Sequence, residues 1–180
     1  MFLKNKKGGR MQSLSCFLND FFDRRPTWDE MFMAMAVMLY KRVTCCYYQV
    51  GAVLAEDDQM IGFGYNGPAR GDDHCKKVGC AKLDEDGNKL PPGSAKCRGV
   101  HAEMNTLSNR VRPAGDGRVT LYVTTRPCFD CGKVIANHVD NIKRVVYLRD
   151  YDGEENVIDY LRRRKVDLIK FETISDLRME

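Results

Sequence analysis

Two short segments, His101-Ala102-Glu103 and Pro127-Cys128-Phe129-Asp130-Cys131, constrain this chain more than any other part of its sequence. Together they supply an imidazole, a carboxylate two residues after it, and two thiols. Two thiolates and one imidazole make a three-ligand set for zinc. Such a set leaves the fourth tetrahedral position to water, which is typical of catalytic rather than structural zinc. The pattern therefore predicts a catalytic zinc ion bound by His101, Cys128 and Cys131.

The spacing within each segment fits that interpretation. Cys128 and Cys131 are three residues apart and share a face if a helix carries them, and a helix amino terminus favours thiolates. Glu103 follows His101 by two residues, which would separate their side chains by about 200° in a regular helix. We therefore expect His101 at the very start of a helix, where the backbone is not yet helical. Glu103 then acts as a general acid/base without ligating the metal, and the Ala102 N–H is a free donor.

A C-x-x-C pair by itself also fits redox motifs and structural zinc sites, and a lone histidine is often a core residue. Here a proline and a predicted strand precede the pair, and His101 opens a predicted helix upstream. That context favours the catalytic interpretation.

Size and composition place these motifs in one folded domain. The chain has 180 residues, 43% hydrophobic and 30% charged, and we expect a single domain over residues 27–175, between a basic lead-in at 1–26 and a tail at 176–180. It shows neither an apolar run of about 20 residues nor a signal-peptide pattern, so we expect no membrane association and a cytoplasmic location, or the host cytoplasm if viral. Its eight cysteines then favour metal ligation over disulfides. The net charge of +4 is scattered, so nucleic acid is not an expected partner.

The pattern of apolar residues and turn signals predicts alternating helices and strands. Thr27-Trp28-Asp29-Glu30 has the form of a capping box that opens a helix over residues 31–43. Strands are predicted at 48–55, 60–65, 119–124, 142–148 and 167–171, and further helices at 101–111, from Pro127, and at 154–164. Residues 66–99 form a long polar segment, and a structureless loop of that length needs a tether or a function. This order predicts an α/β fold with helices covering a mixed sheet.

Several stretches extend the pattern beyond the two motifs: residues 45–53, Gly64-Tyr65-Asn66-Gly67, residues 101–105, residues 122–128 and Val146-Tyr147. With them, the chain resembles the deoxycytidylate (dCMP) deaminase family of the cytidine deaminase superfamily from about residue 28 to about residue 170. The His/Cys signature marks the superfamily, and Gly64-Tyr65-Asn66-Gly67 points to the dCMP branch. The resemblance implies a three-layer α/β fold, with a mixed five-stranded sheet flanked by helices, often assembled as a homo-hexamer.

The resemblance also implies an activity and its contacts. It implies zinc-dependent hydrolytic deamination of dCMP to dUMP, which supplies thymidylate synthesis. Glu103 would take the water proton, deliver it to the ring nitrogen and help ammonia leave. The implied substrate contacts are Ala102, Thr124 and Tyr151, and Tyr151 is equally well explained as an ordinary surface tyrosine. Arg126, directly before Pro127, could reach the substrate phosphate or an interface.

Allosteric control is a further implication. In many members of the family dCTP with Mg²⁺ activates and dTTP inhibits. By match to the family, Gly64, Tyr65, Asn66 and Gly67 contribute to the effector site. Arg112 is an expected triphosphate partner because guanidinium groups suit phosphate oxygens. Turn geometry alone also explains Gly64 and Gly67.

Four other cysteines are predicted to bind a second, structural zinc: Cys45, Cys75, Cys80 and Cys97. Some dCMP deaminases have a structural zinc in this region with mixed Cys/His ligands, a ligand set that differs from four thiolates. A closed four-ligand site would pin the long polar segment to the first helix. Cys46 competes with Cys45, and His74 competes with Cys75. The alternative is a set of scattered loop thiols.

Three other functions are compatible with the zinc motif. The first is deamination of RNA or single-stranded DNA, which requires a basic, aromatic-lined groove. The second is deamination of a free nucleoside, which requires no phosphate site. The third is a catalytically inert zinc-binding assembly module, and the presence of Glu103 argues against it.

Overall fold

The computed structural model describes residues 25–91, 97–111, 115–138, 142–151 and 155–171. The predicted tail at 176–180 and nearly all of the lead-in at 1–26 lie outside those ranges. No helix of the described residues has the length and apolar character needed to cross a bilayer. The elements in chain order are α1 (Trp28–Tyr40), β1 (Gly51–Glu56), β2 (Gln59–Tyr65), β3 (Gly67–Pro68), α2 (Cys75–Val78), β4 (Gly99–Val100), α3 (Ala102–Ser108), β5 (Val119–Thr125), α4 (Phe129–Ala136), β6 (Arg144–Arg149), α5 (Asn156–Arg163) and β7 (Asp167–Lys170).

The predicted capping box begins α1. The Thr27 hydroxyl accepts from the Glu30 N–H at 3.2 Å, and the Glu30 carboxylate accepts from the Thr27 N–H at 2.7 Å. These two bonds satisfy donors that a helix start otherwise leaves unpaired. The helix therefore begins at Trp28, three residues before the predicted start at residue 31, and it ends at Tyr40.

The central sheet has five strands in the order β2-β1-β5-β6-β7. β1 is antiparallel to both β2 and β5, whereas β5, β6 and β7 run parallel. A short turn suffices for the β1–β2 hairpin, and the parallel pairs require crossovers, which α4 and α5 supply. The predicted mixed five-stranded sheet flanked by helices is confirmed.

Each face of the sheet has its own apolar core, which makes the fold three-layered. On one face Phe32, Met33 and Ala36 of α1 pack against Val53 and Tyr122. On the other face, α3, α4 and α5 cover the alternate residues of the same strands. Strand β5 is buried along its whole length. Its carboxyl end therefore positions the residues that follow it at the edge of a rigid layer.

The long segment 66–99 is more ordered than a structureless loop. Its two ends pair with each other, since Gly67 of β3 faces Val100 of β4 and Pro68 faces Gly99. Between them lie α2 and a small hairpin, closed by an isolated Leu83–Lys89 bridge. The tether expected for this segment thus includes backbone hydrogen bonds between β3 and β4, which the residue pattern did not reveal. Residues 92–96 lie outside the described ranges.

Candidate metal centre and active site

His101 lies at the junction of a strand and a helix. It directly follows β4 and is the N-cap of α3, with extended backbone angles of φ −70° and ψ 152°. Glu103 is in the first turn of the same helix. The prediction that His101 precedes the helical backbone is confirmed, and the side-chain separation of a regular helix does not apply to this pair.

Cys128 lies at the second such junction, after β5. It is the N-cap of α4, with φ −70° and ψ 170°, and its Sγ accepts from the Cys131 N–H at 3.5 Å. The helix was predicted to open with Pro127 at its first position. That prediction is wrong, because the Cys128 sulfur takes the capping role and the helix begins at Phe129.

The two junctions bring three metal-ligating side chains together. The His101 Nδ1 lies 3.2 Å from the Cys131 Sγ and 3.4 Å from the Cys128 Sγ. The ligand atoms of all three residues lie within 4.8 Å of one another, and no other such group of three occurs in the described part of the chain. Two thiols and an imidazole suit the preference of zinc for sulfur and nitrogen ligands, so the donor set fits this ion.

The electrostatics of the cluster favour a metal-binding thiolate. The pKa of Cys128 is lowered to about 4, first by a hydrogen bond from the Cys131 thiol and then by His101. The pKa of Cys131 is raised by its hydrogen bond to Cys128 and by burial. The pKa of His101 is raised, chiefly by its hydrogen bond with Cys128. The thiolate therefore forms on Cys128, and Cys131 and His101 stabilise it by hydrogen bonds.

Glu103 lies beside this cluster but outside its group of three. Only 4% of its surface is exposed, and burial raises the pKa of its carboxyl group. The pKa is also affected by the nearby charges of His101 and Cys128 and by a hydrogen bond with Cys131. A raised pKa makes the carboxyl group a stronger proton acceptor than an exposed glutamate, which suits a role in general acid/base catalysis.

A pocket opens onto Glu103, His101 and Cys128, and its lining combines aromatic and cationic side chains. The Tyr48 and Tyr151 rings lie 5.4 Å apart between centroids, and Tyr47 contacts Tyr48 at 5.1 Å. The first pair is tilted by 52° and the second by 66°, so the rings form an aromatic wall rather than a stack. Aromatic faces in such a wall can bind the flat face of a base. The predicted contact residues Ala102 and Tyr151 both line the pocket.

Thr124 is placed differently from its prediction as a substrate contact. Its side chain is fully buried, and its hydroxyl accepts from the Gly51 N–H at 3.1 Å. The next residue, Thr125, lines the pocket. Because successive residues of a strand point to opposite faces, only one of the two can face the site. We therefore assign the candidate substrate contact to Thr125.

Three further residues line the pocket whose role was open or absent in the sequence analysis. Arg126 and Lys82 contribute cationic side chains, and Asn66 contributes an amide. Lys82 lies in the hairpin of the long segment, far from either motif in sequence, and no local signal identified it. Asn66 donates to the Tyr48 carbonyl at 2.8 Å and accepts from the Val50 N–H at 2.7 Å, so it also fixes the pocket wall.

The motif Gly64-Tyr65-Asn66-Gly67 is divided between two cavities. Asn66 lines the pocket described above, whereas Gly64, Tyr65 and Gly67 line a second cavity together with Arg70, His74 and other residues. A Cβ on Gly64 would lie 2.7 Å from the Thr106 backbone nitrogen of α3, so close packing alone requires glycine there. Arg112, the expected triphosphate partner, lies outside the described residues.

The four cysteines predicted to form a second zinc site do not form a cluster of the same kind. Cys45 and Cys75 are buried, Cys80 is partly buried and Cys97 is exposed. Among the described residues, no three of these thiols meet the 4.8 Å separation of the His101 cluster. Burial and then the nearby Cys45 and Cys80 raise the pKa of Cys75. Of the two competing residues, Cys46 is exposed and His74 lines the second cavity.

Comparison with known proteins agrees with this geometry. Residues 26–149 match the family model described as the cytidine and deoxycytidylate deaminase zinc-binding region. The chain is 33% identical to the deoxycytidylate deaminase of Schizosaccharomyces pombe, covering 82% of this chain and 45% of the relative. It is 36% identical to the deoxycytidylate deaminase of Mycobacterium phage D29, covering 70% of this chain and 98% of the relative. It spans about half the length of the yeast relatives, 45% in one species and 48% in Saccharomyces cerevisiae.

A solved structure supports the same relationship. The crystal structure of dCMP deaminase from the cyanophage S-TIM5, in complex with dCMP and dUMP, aligns with a TM-score of 0.64 at 27% identity. The alignment covers 82% of this chain and 99% of the phage protein.

Proposed function

The chain belongs to the cytidine and deoxycytidylate deaminase family, and from that premise we propose that it catalyses the hydrolytic deamination of dCMP to dUMP. The observation that carries this proposal is the buried Glu103 beside the His101, Cys128 and Cys131 ligand cluster, at a pocket lined by tyrosines. The deoxycytidylate relatives and the phage enzyme bound to dCMP and dUMP support the choice of substrate.

His101, Cys128 and Cys131 would hold the zinc ion, which would supply Lewis-acid activation of the attacking water. Glu103 accepts a proton from that water and delivers it to the ring nitrogen N3 of cytosine. Glu103 then carries the second proton from the newly formed C4 hydroxyl to the exocyclic amine. Water contributes the new C4 oxygen, and the C4–N bond breaks to release ammonia, so that each turnover regenerates Glu103 in its starting state.

The remaining pocket residues orient the substrate. The Ala102 N–H is in the first turn of α3, where amide donors lack helical partners, and it suits the base carbonyl. Tyr48 and Tyr151 pack against the base, and Thr125 takes the role that the sequence suggested for Thr124. These contacts hold the reactive carbon against Glu103 and the ligand cluster.

The direct experiment measures ammonia release and dUMP formation by the zinc-loaded protein. We expect turnover of dCMP, with much weaker turnover of deoxycytidine and cytidine. Comparable rates for nucleoside and nucleotide would favour a free-nucleoside deaminase. Turnover of a cytosine-containing oligonucleotide in preference to dCMP would favour a polynucleotide deaminase. An inert protein under all of these conditions would favour a zinc-binding assembly module.

We also propose allosteric control through the second cavity, with dCTP and Mg²⁺ activating and dTTP inhibiting. Gly64, Tyr65 and Gly67 line this cavity, and Arg70 supplies a cation that suits phosphate oxygens. Turnover of dCMP is measured with and without each effector, and Arg70→Gln should shift the activating dCTP concentration upward by about threefold to tenfold. Indifference of the wild-type protein to both triphosphates would remove this proposal.

Three further parts of the assignment are proposals of the same kind. A second zinc is bound by Cys45, Cys75, Cys80 and Cys97 once the metal draws them together. The protein assembles as a homo-oligomer, with the hexamer as the expected form. It works in the cytoplasm, where dUMP supplies thymidylate synthesis. Metal analysis, light scattering and cell fractionation test these three points separately.

A further inference from the structure

Arg126 places a buried guanidinium group in the wall of the active-site pocket. Only 6% of its surface is exposed, and it lines the pocket with His101 and Glu103. Its Nη2 donates to the Tyr151 carbonyl at 2.5 Å. Its Nε is buried, and no hydrogen-bond partner for that atom occurs among the residues that the structure describes. A buried charged donor without a partner is costly, so this one requires an explanation.

An internal carboxylate does not supply the missing partner. Within the described ranges Arg126 makes no ion pair with an Asp or Glu side chain. The nearby Asp150 is paired with Lys170. The Arg126 charge helps to lower the pKa of Asp150, but among the described residues no carboxylate forms an ion pair with it, and the guanidinium group lines the pocket.

A second cation lies at the rim of the same pocket. Lys82 is exposed and belongs to the hairpin closed by the Leu83–Lys89 bridge and by a bond from the Leu90 N–H to the Lys82 carbonyl. Its Nζ lies 5.4 Å from the Tyr47 ring centroid, and the Lys82 charge lowers the pKa of His101. The Lys82 ammonium group thus lies over the Tyr47 ring and is close enough to His101 to act on its charge.

We propose that Arg126 and Lys82 bind the 5′-phosphate of the substrate and so determine the preference of this pocket for a nucleotide over a nucleoside. This inference rests on the proposed deaminase function. A guanidinium fork donates two parallel hydrogen bonds to phosphate oxygens, and the Arg126 side chain lines the pocket without an ion-pair partner among the described residues. Lys82 adds a flexible point charge at the mouth. The neutral end of the nucleotide, its base, then packs between Tyr48, Tyr151 and the ligand cluster.

The test compares kcat/KM for dCMP with kcat/KM for deoxycytidine, which differ only in the phosphate. For the Arg126→Gln variant we expect the dCMP-to-deoxycytidine ratio to fall about tenfold to a hundredfold, the range expected for a charge-assisted bond to phosphate. Arg126→Lys keeps the charge but not the fork and should give an intermediate ratio. For Lys82→Gln we expect a fall of about twofold to fivefold that shrinks as salt is added.

Arg149→Gln is the matched control. The Arg149 guanidinium also has a buried Nε without a hydrogen-bond partner among the described residues, but it contacts Thr125 and the Tyr40 ring and is not among the described residues that line the pocket. Loss of the Arg149 guanidinium should lower kcat/KM for dCMP and for deoxycytidine by the same factor, so that the ratio of the two values stays unchanged. If Arg126→Gln behaves in the same way, Arg126 only supports the Tyr151 backbone and the proposal is overturned.

A binding measurement separates this proposal from the function on which it rests. Calorimetry with dUMP and with deoxyuridine uses the zinc-loaded protein without turnover. Tighter binding of dUMP that is lost in Arg126→Gln supports the phosphate site, even if wild-type protein deaminates neither dCMP nor deoxycytidine and the proposed function fails. Equal binding of dUMP by both proteins overturns the phosphate site even if dCMP is turned over. A larger effect of Arg126→Gln on an oligonucleotide than on dCMP overturns the assignment to a mononucleotide.

Discussion

The two groups of cysteine-containing side chains in this molecule differ in what holds them. In the His101 cluster, two of the three ligands are helix N-cap residues: His101 directly follows β4, and Cys128 lies just beyond the end of β5 at Thr125. The third ligand, Cys131, is in the first turn of α4. In the loop group, the cysteines come from the turn after α1, the short α2, the segment that follows it and the approach to β4. Only the first group has all of its ligand atoms within 4.8 Å among the described residues.

The difference shows where a fold can position ligands before a metal binds. Strand β5 is fixed by two neighbouring strands, so the residue that follows it has little freedom. Cysteines in loops have no such support, and the free energy of metal binding must then also order the segment that carries them. The first site should therefore be preorganised, and the second should form only with its metal.

The largest expected effect tests the catalytic role of Glu103 beside the His101 cluster. Glu103→Gln removes the proton carrier from the preorganised site without removing a zinc ligand. We expect dCMP turnover to fall by about a hundredfold to ten-thousandfold, because a neutral amide cannot accept the proton. The zinc content, measured by native mass spectrometry of the intact metal-bound protein, should stay unchanged. Asp130→Asn, at an exposed acid paired with Lys133 on the same helix, is the control and should retain normal turnover.

The second prediction concerns stability and the loop group. If the loop cysteines bind a metal, the wild-type protein contains two zinc ions per chain and Cys75→Ser contains one. The loss of the closed site should lower the free energy of unfolding by about 2–4 kcal/mol, because the metal orders the segment around it. Turnover per remaining zinc should change little. One zinc per chain in wild-type protein would show that the loop thiols are unligated.

The third prediction compares the two groups after zinc is stripped with a chelator. The pKa of Cys128 is about 4, so at pH 6 its thiol is ionised, whereas the raised pKa of Cys75 keeps that thiol protonated there. The thiolate is the reactive form. Brief iodoacetamide treatment at pH 6 should label Cys128 at least about tenfold faster than Cys75. Peptide mapping measures both sites, and zinc added beforehand should protect Cys128. Equal labelling would show that the metal-free cluster is not organised.

The smallest effect tests whether the scaffold as a whole supports the first site. Asp29 of α1 accepts from Arg144 at 2.8 Å and from the Tyr122 hydroxyl at 2.6 Å, and the Arg144 bonds lower its pKa. Because the folded-state pKa lies below the unfolded value of 3.8, this contribution is complete above that pH and is lost as the pH falls through the folded-state pKa. Asp29→Asn should cost about 1–2 kcal/mol at pH 7.

Urea unfolding at several pH values measures this effect. The stability difference between wild type and Asp29→Asn should begin to narrow as the pH falls below about 4, where the carboxylate of the unfolded chain takes up a proton, and it should be lost as the pH falls through the lower pKa of the folded state. Zinc content at the His101 cluster should be the same in both proteins at pH 7. A constant difference between pH 7 and pH 3 would mean that the variant acts through packing rather than through charge.

Local chemistry made several features predictable. The position of His101 before the helix followed from its two-residue spacing to Glu103, and the start of α1 followed from Thr27 and Glu30 to within three residues. The sheet and its helices followed from the alternation of apolar patterns. Each of these depends on residues that are neighbours in sequence, where geometry is fixed by a turn of helix or a step of strand.

Other features depend on distant residues and could not be predicted. Successive residues of β5 point to opposite faces of the sheet, so Thr125 lines the pocket whereas the Thr124 hydroxyl accepts from the Gly51 N–H. The N-cap role of Cys128 displaced the start of α4 past Pro127. The order within the long segment depends on pairing between β3 and β4, about thirty residues apart.

The sequence by itself determined which groups are present and which of them are local partners: a zinc-ligand set, an acid two residues from its histidine, and an α/β pattern. Only the tertiary structure decided that Arg126 is buried in the pocket wall, that Lys82 lies at its rim, and that Asn66 serves one cavity while Gly64 lines another. The physical reason is that burial and charge pairing depend on packing between layers, which no local spacing encodes.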